Sequence, residues 1–205
     1  VDDDWLDELA SLALLPHTGA IGPMIRYPDG RIQSAGVLIG VNRTVTSALA
    51  GFAADDPVVR AWGATRRRVS AVMGACLAVS RAKHVAVGGF DERFAVSHNE
   101  VDYCLRLEAA GWENVFTPFA SIGHVEGASR GFDVTREERT RLAAEEAQFV
   151  ARWGHLLGAC DPAYHPVYSR RGAPFRLVSA PGLPLPRSGW RVPAAAPRGD
   201  GQATG

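Results

Sequence analysis

Short apolar runs alternate with stretches of helical periodicity along most of this chain, and the helices carry their own start and stop signals. That alternation constrains the fold more than any other feature, because it specifies an α/β architecture. Residues 99–110 are the sharpest case. Asn99 stands at the cap position and Gly111 just past the end. Residues 135–153 form the longest predicted helix. It opens with a capping box, Thr135 and Glu138, and its buried face should carry Leu142, Phe149, Val150 and Trp153. In residues 2–15, Trp5, Leu6, Leu9, Leu12 and Ala13 fall on one helical face. The aspartates at its start should cap it and suit its dipole, and Pro16 and Gly19 should end it. Ser80 should cap a short helix closing at Gly88-Gly89.

Strands are predicted at 20–25, at 35–41, at 69–79 with a break at Gly74, and at 113–117 and 120–124 on either side of Pro118. Tyr27-Pro28-Asp29-Gly30 reads as a turn. Residues 42–69 and 90–98 read as loops. From 181 to 205 Pro, Gly, Ala and Arg dominate without periodicity, which reads as a disordered tail. Residues 169–180 form a short extension before it.

Composition narrows the function classes. The 205 residues are 46% hydrophobic, enough for one cored domain with a tail. Lys plus Arg equals Asp plus Glu, 22 against 22. That balance argues against a general nucleic-acid or membrane-surface binder, although Arg66-Arg67-Arg68 makes a local basic patch. Cys76, Cys104 and Cys160 are odd in number and widely spaced, so they suggest neither a zinc ribbon nor a disulfide framework, and a reducing, cytosolic setting fits best. No apolar run reaches the ~18 residues of a membrane-spanning helix. The chain opens on Val1, inside what reads as a helix, and is expected to be part of a longer protein.

Two acids, Glu100 and Asp102, stand in the first turn of the 99–110 helix. Helix-dipole stabilisation accounts for acids there without any catalytic role, and Asp102 is spaced to pair with Arg106 one turn on. The Gly88-Gly89-Phe90-Asp91-Glu92 segment reads as a turn with Phe90 packed inward and Asp91 capping the turn. Cys76 reads as a packing residue rather than a nucleophile.

Taken in order, several segments resemble family 2 glycosyltransferases, especially the rhamnosyltransferase-like members that build bacterial surface polysaccharides. They are Asp4-Trp5-Leu6 with Gly22-Pro23 and the Tyr27-Pro28-Asp29-Gly30-Arg31-Ile32-Gln33-Ser34-Ala35-Gly36 run; Gly74-Ala75-Cys76-Leu77; Gly88-Gly89-Phe90-Asp91-Glu92-Arg93-Phe94; Asn99-Glu100-Val101-Asp102-Tyr103-Cys104-Leu105-Arg106 with Ala110-Gly111-Trp112; Thr117-Pro118 through His124 to Arg130-Gly131; and Arg152-Trp153-Gly154 with Asp161-Pro162. The likeness covers residues 1–168. It implies an incomplete GT-A domain, Rossmann-like, that lacks its N-terminal nucleotide-binding half. The family's DxD metal motif would lie just before Val1. Asp2-Asp3-Asp4 imitates it but aligns with the helix that follows.

The resemblance further implies inverting transfer of a sugar from a nucleotide-sugar donor to a glycan or lipid-linked acceptor. Glu100 matches the catalytic base, with Asp102 and Asp91 as possible support. The family more often has Asp where Glu100 stands, and Asn99 departs from a strict acidic pair. His124 matches a metal or diphosphate contact. Ser129, Arg130, Gly74 and Ala75 match phosphate or acceptor contacts. A divalent cation, Mg or Mn, is implied for the complete enzyme. Location is implied to be cytoplasmic, at the inner face of the membrane. Gln148 to Trp153 has one residue too many for the QxxRW motif of processive synthases and reads as ordinary helix. The competing reading is a non-catalytic glycan- or partner-binding remnant of the same fold.

Overall fold

The computed structural model describes residues 3–42, 44–128, 135–159, 161–178 and 192. Its elements in chain order are α1 (Trp5–Ala13), β1 (Thr18–Arg26), β2 (Ile32–Ser34), β3 (Val37–Ile39), β4 (Val45–Ser47), α2 (Pro57–Trp62), β5 (Arg67–Arg68), α3 (Arg81–Ala86), α4 (Asn99–Ala109), β6 (Glu113–Gly123) and α5 (Arg136–Leu157). The predicted α/β class holds. A mixed four-stranded sheet runs in the order β2-β1-β6-β5, and β3 and β4 form a separate antiparallel pair. β1 and β6 are parallel, while β2 and β5 run antiparallel to them. Mixed order of this kind is compatible with a Rossmann-like fold.

β1 is buried along almost its whole length, as expected for a strand covered on both faces. α1 lies over it and over β6 through Leu9, Leu12 and Ala13, which pack with Ile21 and Ala120. Leu6, expected on that face, is exposed; it falls at the margin of a stripe that Trp5, Leu9 and Leu12 already fill. The aspartate cap is also not made. Asp4 occupies the cap position without a side-chain hydrogen bond, so its charge meets the dipole alone. The other end of α1 is closed by side chains from elsewhere. Lys83 of α3 donates from Nζ to the carbonyls of Ala13 and Leu15, and Thr18 Oγ1 donates to Leu12 and Leu15. These satisfy carbonyls that a helix end leaves open.

β6 is one strand rather than two. Its register with β1 runs from Thr18↔Glu113 to Pro23↔Thr117, then jumps to Met24↔Ser121. Residues 118–120 are therefore looped out, which accommodates Pro118, a residue with no N–H for the ladder. Asn114 ties the neighbouring layers together. Its Oδ1 accepts from Ala20 N, and its Nδ2 donates to the carbonyls of Ser70 and Cys104.

Residues 69–79 are not a strand. Val69 N–H bonds to Asn114, Ala71 accepts from Val37 N–H, and Ala78 exchanges two backbone bonds with Ile21. The segment thus crosses three elements in turn instead of pairing with one. It passes so close to β1 that a Cβ on Gly22 would lie 2.6 Å from Val72 Cβ. The stretch 42–69 is not a plain loop either. It holds β4, β5 and α2, whose start Asp56 caps by accepting from Val58 N–H, with Pro57 at the first helical position.

α5 opens with the expected capping box. It buries Phe149 and Trp153, leaves Leu142 half-buried, and exposes Val150, which lies one step round from Phe149. Glu145 is buried instead and accepts from Ser97 N–H at 2.6 Å. Beyond α5, Asp161 accepts from Ile39 N–H and Ala163 N–H, fastening the following segment to β3. Burial pushes its carboxyl up to about 6. The stretch expected to be a disordered tail lies outside the described residues except for Val192, which packs against the main core. No helix among the described residues is long and apolar enough to cross a membrane.

Candidate active site

The start of α4 brings His98, Asn99 and Glu100 together in succession. His98, not Asn99, is the cap residue. It adopts a left-handed conformation at φ 64° and stacks on Phe149 with ring centroids 4.7 Å apart. Asn99 begins the helix, and its Oδ1 accepts from the next backbone N–H, that of Glu100, at 2.8 Å. Both ring nitrogens of His98 are enclosed without a partner among the described residues, and burial lowers its basicity.

Glu100 follows, half-buried, with its side chain against Gly74. A Cβ added at Gly74 would sit 3.3 Å from Glu100 Cβ and 3.6 Å from its carboxyl carbon. Gly74 and Ala75 are exposed. The absence of a side chain at 74 therefore leaves open surface directly beside the carboxylate. No arginine or lysine among the described residues pairs with it. Burial raises the Glu100 carboxyl above its usual 4.5.

Asp102 is placed very differently. It is 0% exposed. Its Oδ2 accepts from Arg106 Nε at 2.8 Å, and its Oδ1 accepts from Arg152 Nη1 at 2.6 Å and Trp153 Nε1 at 2.9 Å. The spacing-based pairing with Arg106 is present, and two further donors from α5 join it. Asp91 shares Arg152, accepting from its Nη1 at 2.9 Å, and also closes its own turn on Arg93 through three hydrogen bonds. Arg93, with Arg152 behind it, holds the Asp91 carboxyl well below the usual carboxylate range. Arg152 and Trp153 are thus not ordinary helix surface. Sequence reasoning missed their part because both partners lie fifty or more positions away.

Phe90 does not pack inward. It is 48% exposed and stacks on Tyr103 at 4.5 Å, since the buried Tyr103 ring already fills the space beneath it. Cys76 is half-buried among Trp5, Ala78 and the α1 cluster, and burial raises its thiol, consistent with packing. Cys104 is buried and its thiol is pushed up to about 12; Cys160 lies outside the described residues.

His124 stands just past the end of β6. Its backbone N–H bonds to Arg26, the last residue of β1, so it marks the carboxyl end of both parallel strands. Such strand ends are where open α/β sheets bind ligands. Its Nδ1 lies 2.9 Å from Gln33 Oε1 on β2. Ser129 and Arg130 lie outside the described residues. The structure therefore brings Glu100 to Gly74, joins Asp91 to Asp102 through Arg152, and pairs His124 with Gln33. Among the described residues no group of three His, Cys, Asp or Glu side chains is arranged to hold a metal. His124 fits a metal as a single ligand at most, and the remaining ligands would come from elsewhere.

Comparison with known proteins shows what the chain is similar to. The chain is 37% identical over 175 residues to the O-antigen biosynthesis protein RfbC of Myxococcus xanthus, covering 81% of this chain and 13% of that protein. It is 38% identical over 136 residues to the N-acetylglucosaminyl-diphospho-decaprenol L-rhamnosyltransferase of Mycobacterium tuberculosis, covering 63% of this chain and 43% of that protein. An uncharacterised protein of Sinorhizobium fredii is 39% identical over 177 residues, 86% of this chain and 19% of its own length. No family model matches the chain, and no solved structure gives a significant match. The chain spans less than half the length of each of these relatives. Over the part it spans, it is similar to an O-antigen biosynthesis protein and to a rhamnosyltransferase, in line with the resemblance to rhamnosyltransferase-like glycosyltransferases.

Proposed function

We propose that this chain is the acceptor-side part of an inverting GT-A glycosyltransferase and that Glu100 is its general base. One observation carries the proposal. Of the three acids matched to the site, Glu100 alone has no cationic partner among the described residues, and burial makes it more basic. A base works best when its pKa lies nearer the working pH. The carboxylate oxygens of Asp91 and Asp102 are engaged by arginines instead.

In the proposed step Glu100 takes the proton from an acceptor hydroxyl lying over Gly74 and Ala75. The hydroxyl oxygen attacks the anomeric carbon from the face opposite the leaving group. The bond from that carbon to the nucleoside diphosphate breaks, and the new glycosidic bond forms with inversion. A divalent ion, held in part by His124, would neutralise charge on the departing diphosphate. The donor-binding half, with its DxD-type motif, lies outside this sequence in this reading. The name of the mycobacterial relative, which carries a decaprenol-linked diphospho-sugar, supports a lipid-linked acceptor.

The test uses a protein in which this chain is joined to a donor-binding half, supplied with nucleotide sugars and a polyprenyl-diphosphate-sugar acceptor. Glu100→Gln should abolish transfer while nucleotide binding persists. Near-normal turnover in that variant would remove Glu100 as the base. Glycan binding with neither nucleotide binding nor transfer by the parent protein would favour a non-catalytic binding module.

A further inference from the structure

Gln33 is 1% exposed, in the middle of β2, with its Nε2 enclosed and lacking a partner among the described residues. Its single side-chain hydrogen bond among the described residues is the one to His124 Nδ1. An enclosed amide with an unfilled donor is costly to a fold. A methionine or leucine would fill the same place without that cost. The glutamine is thus better explained by what it does to the imidazole than by packing.

What it does follows from the atoms that meet. A carbonyl oxygen can only accept, so contact with Oε1 requires a hydrogen on Nδ1. A neutral imidazole with Nδ1–H carries its lone pair on Nε2. We infer that Gln33 is a positioning residue that fixes His124 as the Nδ1–H tautomer, so that the ring presents a lone pair rather than an N–H to its surroundings. This rests on the reading of His124 as a metal or diphosphate contact, and it decides between the two. A lone pair ligates a cation; an N–H would have donated to a diphosphate oxygen. Partners that orient a ligating histidine through its second nitrogen commonly alter metal affinity by about 10–100-fold when removed.

The test is nitrogen-15 NMR of the histidine side chains of this chain at pH 8, where an ordinary imidazole is neutral, followed by titration with Mn(II) alone. His124→Gln identifies the resonance. His124 should appear as the Nδ1–H tautomer and broaden selectively on adding Mn(II). In Gln33→Met the ring should shift toward the Nε2–H form and need about tenfold more Mn(II) for the same broadening, while the melting temperature holds or rises. Gln33→Glu, which keeps an acceptor at the same place, should retain the Nδ1–H form. An Nε2–H tautomer in the parent chain would overturn the inference, because Gln33 would then be donating. So would an unchanged tautomer in Gln33→Met, or a large loss of stability in that variant with the tautomer intact. An Nδ1–H ring in the parent that reverts in Gln33→Met but ignores Mn(II) in both would uphold the role of Gln33 and remove His124 as a metal ligand.

Discussion

Two carboxylates two residues apart on α4 have opposite surroundings. Asp102 points into the protein and meets Arg106, Arg152 and Trp153. Glu100 lies against a glycine and meets no cation among the described residues. Residues i and i+2 on a helix face directions about 200° apart, so one turn serves two purposes. The inward acid joins α4 to α5. The outward acid is left with its basicity raised and open space beside it. Fold and chemistry are thus separable within three residues, and the separation can be tested from both sides.

The largest effect expected is on turnover. In a donor-complete enzyme, Glu100→Gln should lower the transfer rate by about 10²–10⁴-fold, the usual contribution of a positioned base, and leave the urea-unfolding midpoint close to that of the parent. Next is Asp102→Ala. It takes a fully buried carboxylate from Arg106, Arg152 and Trp153, while Arg152 keeps Asp91 and Arg106 keeps the Val87 carbonyl, so it should cost about 3 kcal/mol in urea unfolding. An unfolding cost below 1 kcal/mol would show that the buried cluster is not what joins the helices. Gly74→Ala sharpens the contrast. The new methyl meets Glu100 at 3.3 Å, so transfer should fall by about 10²-fold, as small displacements of reacting groups can cause. Stability should hardly change, because position 74 is exposed.

The smallest effect is a difference in pH dependence. The Glu100 carboxyl is raised in the fold, so folding favours its protonated form. Its contribution is most favourable below 4.5 and is lost as pH rises through the folded value. Asp91 is depressed, so its contribution is fully present above 3.8 and is lost as pH falls below that value. Comparing parent with Glu100→Gln and Asp91→Asn by urea unfolding between pH 3 and 7 should give difference curves of opposite slope. Slopes of the same sign would break the comparison.

Much of this was legible in sequence, because it depends on local rules. The capping box at Thr135, the turn at Tyr27-Pro28-Asp29-Gly30 and the stop at Gly111 are short-range, and each is found in place. The i,i+4 pair of Asp102 and Arg106 is likewise a helix-surface rule. What escaped depends on distant partners. Residues 69–79 have the composition of a strand, yet three different elements claim their backbone groups. Val150 and Leu6 carry the right polarity, but neighbours had already filled the core face. Glu145 and Gln33 are polar residues with no local rule that buries them; they are buried with Ser97 and His124 as their partners. The Asp56-Pro57 start of α2 follows a local capping rule, yet it stands in a stretch that reads as loop. For the site, composition indicated acids at a helix start, and only the tertiary structure separates the acid that is tied down from the one that is not.

The pairing of β1 with β6 has a consequence for how the chain comes to be folded. β1 is nine residues long, and its parallel partner is made about 95 residues later. Before then β2 reaches only its last two residues and Ala78 only Ile21. During synthesis most of this apolar strand must wait, unpaired, until the ribosome has delivered residues 113–123. Contacts of such long sequence separation form slowly, and exposed strands are vulnerable to association in the interval. The slow step in producing this protein should therefore be the late arrival of β6 beside β1, and substitutions near the looped-out residues 118–120 should affect yield more than they affect the finished structure.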